Sequence, residues 1–107
     1  MFSPLPLRRF RVEDTSMQPA LQPGDRLLVA TWLRPRCGDL IVFRDPEAHS
    51  IFIVKRVHAI ALTGDLEVLG DNRNVSRDSR HFGTTPGSLV VGRPIYRYLP
   101  ASRRGRL

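Results

Sequence analysis

"IFIVKRVHAI", residues 51–60, is a run of β-branched and aromatic residues broken by one lysine. Alternation places Ile51, Ile53, Lys55, Val57 and Ala59 on one face and Phe52, Val54, Arg56, His58 and Ile60 on the other. Short runs of the same kind recur as "FRVED" (10–14), "DRLLVATW" (25–32), "DLIVFRD" (39–45), "LEVLG" (66–70) and "LVVGRPIYRYL" (89–99). Between them lie "QPGD", "RCGD", "RDPEAHS", "LTGD" and "TTPGS", all turn-forming. No helical period is sustained over three turns, so the pattern predicts an all-β barrel or sandwich. Pro19 and Pro23 limit "SMQPALQPGD" (16–25) to a turn or one short helical turn.

Lys55 is the only lysine among seventeen basic residues; the rest are arginine. Arginine keeps its proton in proteins, whereas a buried lysine has its pKa lowered by desolvation. Lys55 lies on the more uniformly apolar face of its strand. Two readings follow: a desolvated amine able to act as a base, or a stem packed on apolar surface with its amine in water. A lysine of the first kind forms Schiff bases or activates a hydroxyl nucleophile. The second use needs a serine on a rigid, partly exposed turn, and Ser16 in "DTSMQPALQPGD" (14–25) is such a serine. Taken alone, it would read as an ordinary turn residue.

A length of 107 residues fits a single domain, with its core over about 10–100 and a basic C-terminal tail over 101–107. A net charge of +7 brings nucleic acid or anionic lipid to mind. Yet arginine clusters at the ends (Arg8, Arg9, Arg11; Arg103, Arg104, Arg106), where a solvated tail is the commoner reading. A small basic nucleic-acid-binding β-barrel is the rival from another class, and it leaves the lone lysine unexplained. Cys37 is the only cysteine, which rules out an intrachain disulfide. His49, His58 and His81 lack metal-ligand spacing, so neither a metal nor another cofactor is expected. No window approaches the eighteen or so apolar residues that span a bilayer, and "MFSPLPLRRF" reverses the order of a secretory signal. These features predict a cytoplasmic protein without a transmembrane segment, peripheral membrane contact being left open.

Four stretches in order, "SMQPALQPGDRLLV" (16–29), "GDLIVF" (38–43), "VKRV" (54–57) and "GDNRNVSRDSRHFG" (70–83), resemble the successive boxes of the signal peptidase I family of serine–lysine proteases. The last is the most specific, and the resemblance covers roughly residues 10 to 100. It implies a small signal-peptidase/LexA-like catalytic β-barrel core. It also implies that Ser16 is the nucleophile, Lys55 the general base, and Ser76 the hydroxyl that orients the lysine amine. Asp78 and Arg80 would brace the loop behind the site, Gly70, Asp71 and Asn72 would form the turn presenting that loop, and Met17 and Pro19 would shape the nucleophile turn. Relatives often carry serine or glycine two residues before the nucleophile, where the serine helps hold the oxyanion. Here that residue is Asp14, whose carboxylate is expected to point away and leave backbone donors such as the Ser16 N–H to do that work.

Only fourteen residues separate Lys55 from Gly70, whereas many bacterial signal peptidases carry a large inserted subdomain there. In its size and its lack of an anchor the chain is similar to the nickel-type superoxide dismutase maturation proteases. The resemblance thus implies a peptidase that removes an N-terminal extension, bound in extended form, from a precursor protein such as that dismutase. A general signal peptidase acting on secretory precursors is the alternative. A self-cleaving repressor-type domain is a further relation, though no DNA-binding segment is evident.

Overall fold

The computed structural model describes residues 6–107. Seven strands, β1 (Leu7–Arg11), β2 (Arg26–Ala30), β3 (Leu40–Asp45), β4 (Ala48–Ile60), β5 (Leu66–Leu69), β6 (Val90–Leu99) and β7 (Gly105–Arg106), are joined by turns, one short α-helix, α1 (Ser79–Phe82), and two 3₁₀ turns, Gly87–Leu89 and Ala101–Arg103. Every pairing is antiparallel, in the order β1-β2-β6-β3-β4-β5, with β7 against β6. The fold is all-β, as the alternation predicts.

The sheet is not a closed barrel: among the described residues no ladder joins edge strand β1 to edge strand β5. What curls it is β6, which pairs with β3 at Val90 and Gly92 and then with β2 from Arg93 to Leu99. Gly92 stands at the crossing, where a Cβ would lie 2.4 Å from the carbonyl oxygen of Ala30. In place of a closing ladder, Phe10 of β1 meets Phe52 of β4 edge to face, with ring centroids 5.2 Å apart.

Two apolar clusters flank the central strand. Leu40 and Val42 of β3 join Val12, Met17, Leu21, Leu27 and Val29 on one side; Ile41 and Phe43 join Val57, Leu66 and Val68 on the other. Burial on both faces accounts for the unbroken apolar run "LIVF". In β4 the alternation holds as predicted, with Phe52 and Val54 against the first cluster and Ile53 and Val57 in the second. Lys55 lies between Ile53 and Val57, opposite Ile41 of β3.

Several boundaries differ from expectation. The first strand begins at Leu7, not Phe10, because it is an exposed edge strand held by its backbone pairing with β2 and carries little apolar alternation. β4 starts three residues early, since the Asp45 carboxylate accepts the Glu47 N–H at 2.8 Å and closes the hairpin within two residues. Helix α1 is capped by Asp78, whose side chain accepts the Arg80 N–H while its own N–H donates to His81 Nδ1.

The basic C-terminal segment is not a solvated tail. Tyr96 and Arg97 of β6 pair with Arg106 and Gly105 of β7. Arg103 donates to the buried carboxylate of Asp25 at 2.6 Å, and Arg97 donates to Asp25, to the Arg103 carbonyl and to the Ala20 carbonyl. Asp25 also accepts the Gln22 N–H, so two arginines brace the turn that carries Ser16. Among the described residues no helix is long and apolar enough to cross a membrane.

Candidate active site

Ser16 stands at the start of the turn between β1 and β2 and is 4% exposed. The turn is pinned by Leu21 N–H donating to the Met17 carbonyl at 2.9 Å and by Met17 and Leu21 buried in the first cluster. Pro19 follows on the exposed side, its carbonyl accepting from the Gln22 amide side chain.

The loop after β5 clasps this turn. Asn72 donates its N–H to the Ser16 carbonyl at 2.9 Å and its side-chain amide to the Thr15 carbonyl at 3.1 Å. The Asp71 N–H contacts Met17 Sδ at 3.4 Å. At Gly70 a Cβ would fall 2.0 Å from Ser76 Oγ and 2.8 Å from the Ser16 carbonyl oxygen, so the two serines approach each other across a position that admits no side chain.

Behind the loop Asp78 is fully buried and acts as its hub. Its Oδ2 accepts the Gly70 N–H and the Ser76 hydroxyl, both at 2.8 Å, and its Oδ1 accepts Arg80 Nε at 2.9 Å. Burial alone would raise the Asp78 pKa, but the Arg80 guanidinium and these other donors outweigh it and hold the carboxyl well below the usual carboxylate range. Arg80 also reaches the Arg73 carbonyl at 2.8 Å, closing the loop on itself.

Lys55 is 3% exposed, which favours the desolvated reading over one with its amine in water. Burial is the largest influence on it and pushes its proton affinity below that of an ordinary lysine. Asp14 and Asp78 act in the opposite direction, and Arg77 and Arg80 add to the lowering.

Of the residues expected at the site, Ser16, Met17, Gly70, Asp71, Asn72, Ser76, Asp78 and Arg80 are joined by direct contacts, and Lys55 shares the electrostatic field of Asp78 and Arg80. One expectation is overturned. Asp14 does not point away; its Oδ1 accepts both the Ser16 hydroxyl at 2.9 Å and the Ser16 N–H at 3.1 Å, because the chain turns at Thr15 and brings residue 14 back over residue 16. Arg56 went unnoticed in the sequence reading. It grips Asp71 through two bonds of 2.9 and 2.8 Å and so ties β4, one residue from Lys55, to the loop that clasps Ser16. The two residues lie in the stretches "VKRV" and "GDNRNVSRDSRHFG", neither of which names the other as its partner.

The profile described as "Signal peptidase, peptidase S26" matches residues 3–66 and 61–99, and the chain belongs to that family of serine endopeptidases. "Probable signal peptidase I-1" of Synechocystis sp. is 29% identical over 90% of this chain and 73% of its own. "Mitochondrial ATP-independent inner membrane protease subunit 1b" of Arabidopsis thaliana is 30% identical, over 86% of this chain and 70% of its own. "Thylakoidal processing peptidase 1, chloroplastic" of the same plant is 28% identical, over 86% of this chain and 42% of its own. These relatives overturn the expected cytoplasmic setting. Two are named for organelles, one of them for an inner membrane, and the absence of a long apolar segment carries no information about the compartment in which a peptidase meets its substrate.

Proposed function

We propose that the chain is a single peptidase domain in which Ser16 is the nucleophile and Lys55 the general base, and that it removes an N-terminal extension from a precursor protein. The observation that carries this reading is the burial of Lys55 and Ser16 around one clasped loop, with the proton affinity of Lys55 lowered by that burial. Neutral Lys55 takes the Ser16 hydroxyl proton as Oγ attacks the scissile carbonyl, and the resulting ammonium gives that proton to the departing amine. Water then attacks the acyl ester, losing its proton to Lys55, which returns it to Ser16 Oγ. A cavity of about 50 Å³ lined by Val12, Asp14, Met17, Phe52, Ile53 and Val54 borders the serine turn. It has room for one small side chain of an extended peptide lying between residues 11–14 and β4.

Ser76 gives its hydroxyl proton to Asp78, which leaves its oxygen free to accept from the Lys55 amine and orient it. Ser76→Ala should lower the cleavage rate about 10²-fold, the scale of one positioned hydrogen bond in catalysis, with little change in KM. An unchanged rate would remove the orienting role.

We further infer that the precursor is that of nickel superoxide dismutase. In support, β4 and β5 are joined by the short turn 61–65, where the two matched segments of the family profile also meet. The Synechocystis alignment runs over 143 positions against a chain of 107 residues, so that relative carries inserted residues and this chain is the more compact core. The dismutase precursor incubated with the purified chain should yield a shortened product of defined mass, and with Ser16→Ala it should stay whole. An intact dismutase beside a cut secretory precursor would replace this substrate with a signal peptide and leave the serine–lysine reading standing.

A further inference from the structure

Asp14 is the neighbour of Ser16 that this reaction does not use. A single carboxylate oxygen takes both the hydroxyl and the N–H of Ser16. The hydroxyl proton is therefore directed to Asp14 and not to Lys55, and the amide suited to meet a developing oxyanion is already engaged. A carboxylate in that place also repels the charge that must form. Arg11, the cation nearest in the chain, is paired with Glu13 at 2.9 Å, so it is not the group that fixes Asp14. Asp14 is exposed and lines the small cavity beside Met17 and Phe52, so a peptide side chain entering there meets it directly.

Resting on the Ser16–Lys55 reading, we propose that Asp14 is a positioning residue that latches the nucleophile: its carboxylate holds the Ser16 hydroxyl and amide in the resting protein, and substrate entering the neighbouring cavity displaces it so that Ser16 turns to Lys55. The charges that act on Lys55 are Asp14 and Asp78 as anions and Arg77 and Arg80 as cations. Removing the negative charge of Asp14 therefore makes Lys55 easier to deprotonate as well as freeing Ser16. Both effects raise the rate near neutral pH, and only the electrostatic one moves the pH profile.

The test compares wild type, Asp14→Ala and Asp14→Asn in cleavage of the precursor across pH, with the Lys55 amine titrated by NMR in each. Asp14→Ala should cleave about tenfold faster near neutral pH, the scale of one hydrogen bond to a charged group no longer broken before reaction. Its rising limb and its Lys55 titration should both fall to lower pH. Asp14→Asn keeps an acceptor without the charge, so it should show the same displacement of the limb with a smaller gain in rate. A rate for Asp14→Ala at or below wild type at every pH would overturn the latch, as would an unmoved Lys55 titration in both variants. Equal cleavage by wild type and Ser16→Ala would instead overturn the serine–lysine reading. The titration requires no substrate and decides the Asp14–Lys55 coupling in every case.

Discussion

Ser16→Ala should leave a folded protein whose cleavage rate is lower by on the order of 10⁶-fold, the scale seen when a serine peptidase loses its nucleophile. The other serine of the clasp, Ser76, cannot take over the attack, since its hydroxyl is bonded to Asp78 and packs against Gly70. The fold should survive because the alanine keeps the backbone contacts of this position, namely the N–H to Asp14 and the carbonyl to Asn72. The lost hydroxyl bond to exposed Asp14 costs about 1.5 kcal/mol, the low end for a bond to a charged group. Mass analysis of the products and a thermal melt of the same preparation check both halves. More than a few per cent of wild-type activity in a clean sample would remove Ser16 from its role.

Lys55→Arg should be as inactive as Lys55→Ala, although it preserves charge and much of the volume. A guanidinium cannot accept the serine proton at any working pH. Wild-type activity should rise with pH through the native pKa of Lys55, and burial sets that limb below the ordinary lysine value of 10.5. An active Lys55→Arg would reduce Lys55 to a fixed charge.

Stability follows with a definite sign. In the window between its native pKa and its higher unfolded pKa, Lys55 is neutral when folded and protonated when unfolded, so stability rises with pH there. Below the native pKa the folded protein carries a desolvated ammonium. Lys55→Met should therefore melt higher than wild type at low and neutral pH, with the gap narrowing as the pH climbs through that window. A gap that stayed constant with pH would mean that burial imposes no cost on the charged amine. Such a gain in stability at the expense of activity is expected of a strained functional site.

The clasp around the serine turn was legible only in part before the structure. The "GDNRNVSRDSR" run pointed to Gly70, Asn72, Ser76, Asp78 and Arg80 through its resemblance to a family box. Gly70, Ser76 and Arg80 all bond to Asp78 within eleven positions, whereas Asn72 bonds to the distant serine turn. The partner of Asp71 lies fifteen residues away on β4, and a lone arginine in a strand carries no mark of what it grips.

Short β-branched runs bounded by turn residues, and period-two alternation within them, are local properties, so the sequence by itself determined that β3 and β4 are strands and that Lys55 shares a face with Ile53 and Val57. Glycine-aspartate turns and prolines are local as well, and they placed Ser16 on a turn. The tertiary structure alone decided whatever depends on residues far apart in the chain or on the path of a single side chain. Arg103 reaches Asp25 across 78 positions, so a tail that reads as solvated is instead a brace. The sheet curls because β6 changes partner at Gly92, where Ala30 approaches too closely for a side chain, and it stays open because among the described residues no ladder joins β1 to β5. Asp14 turns back onto Ser16 because a carboxylate two residues away can satisfy a hydroxyl and an amide at once when the backbone bends between them, and residue identity does not specify that bend.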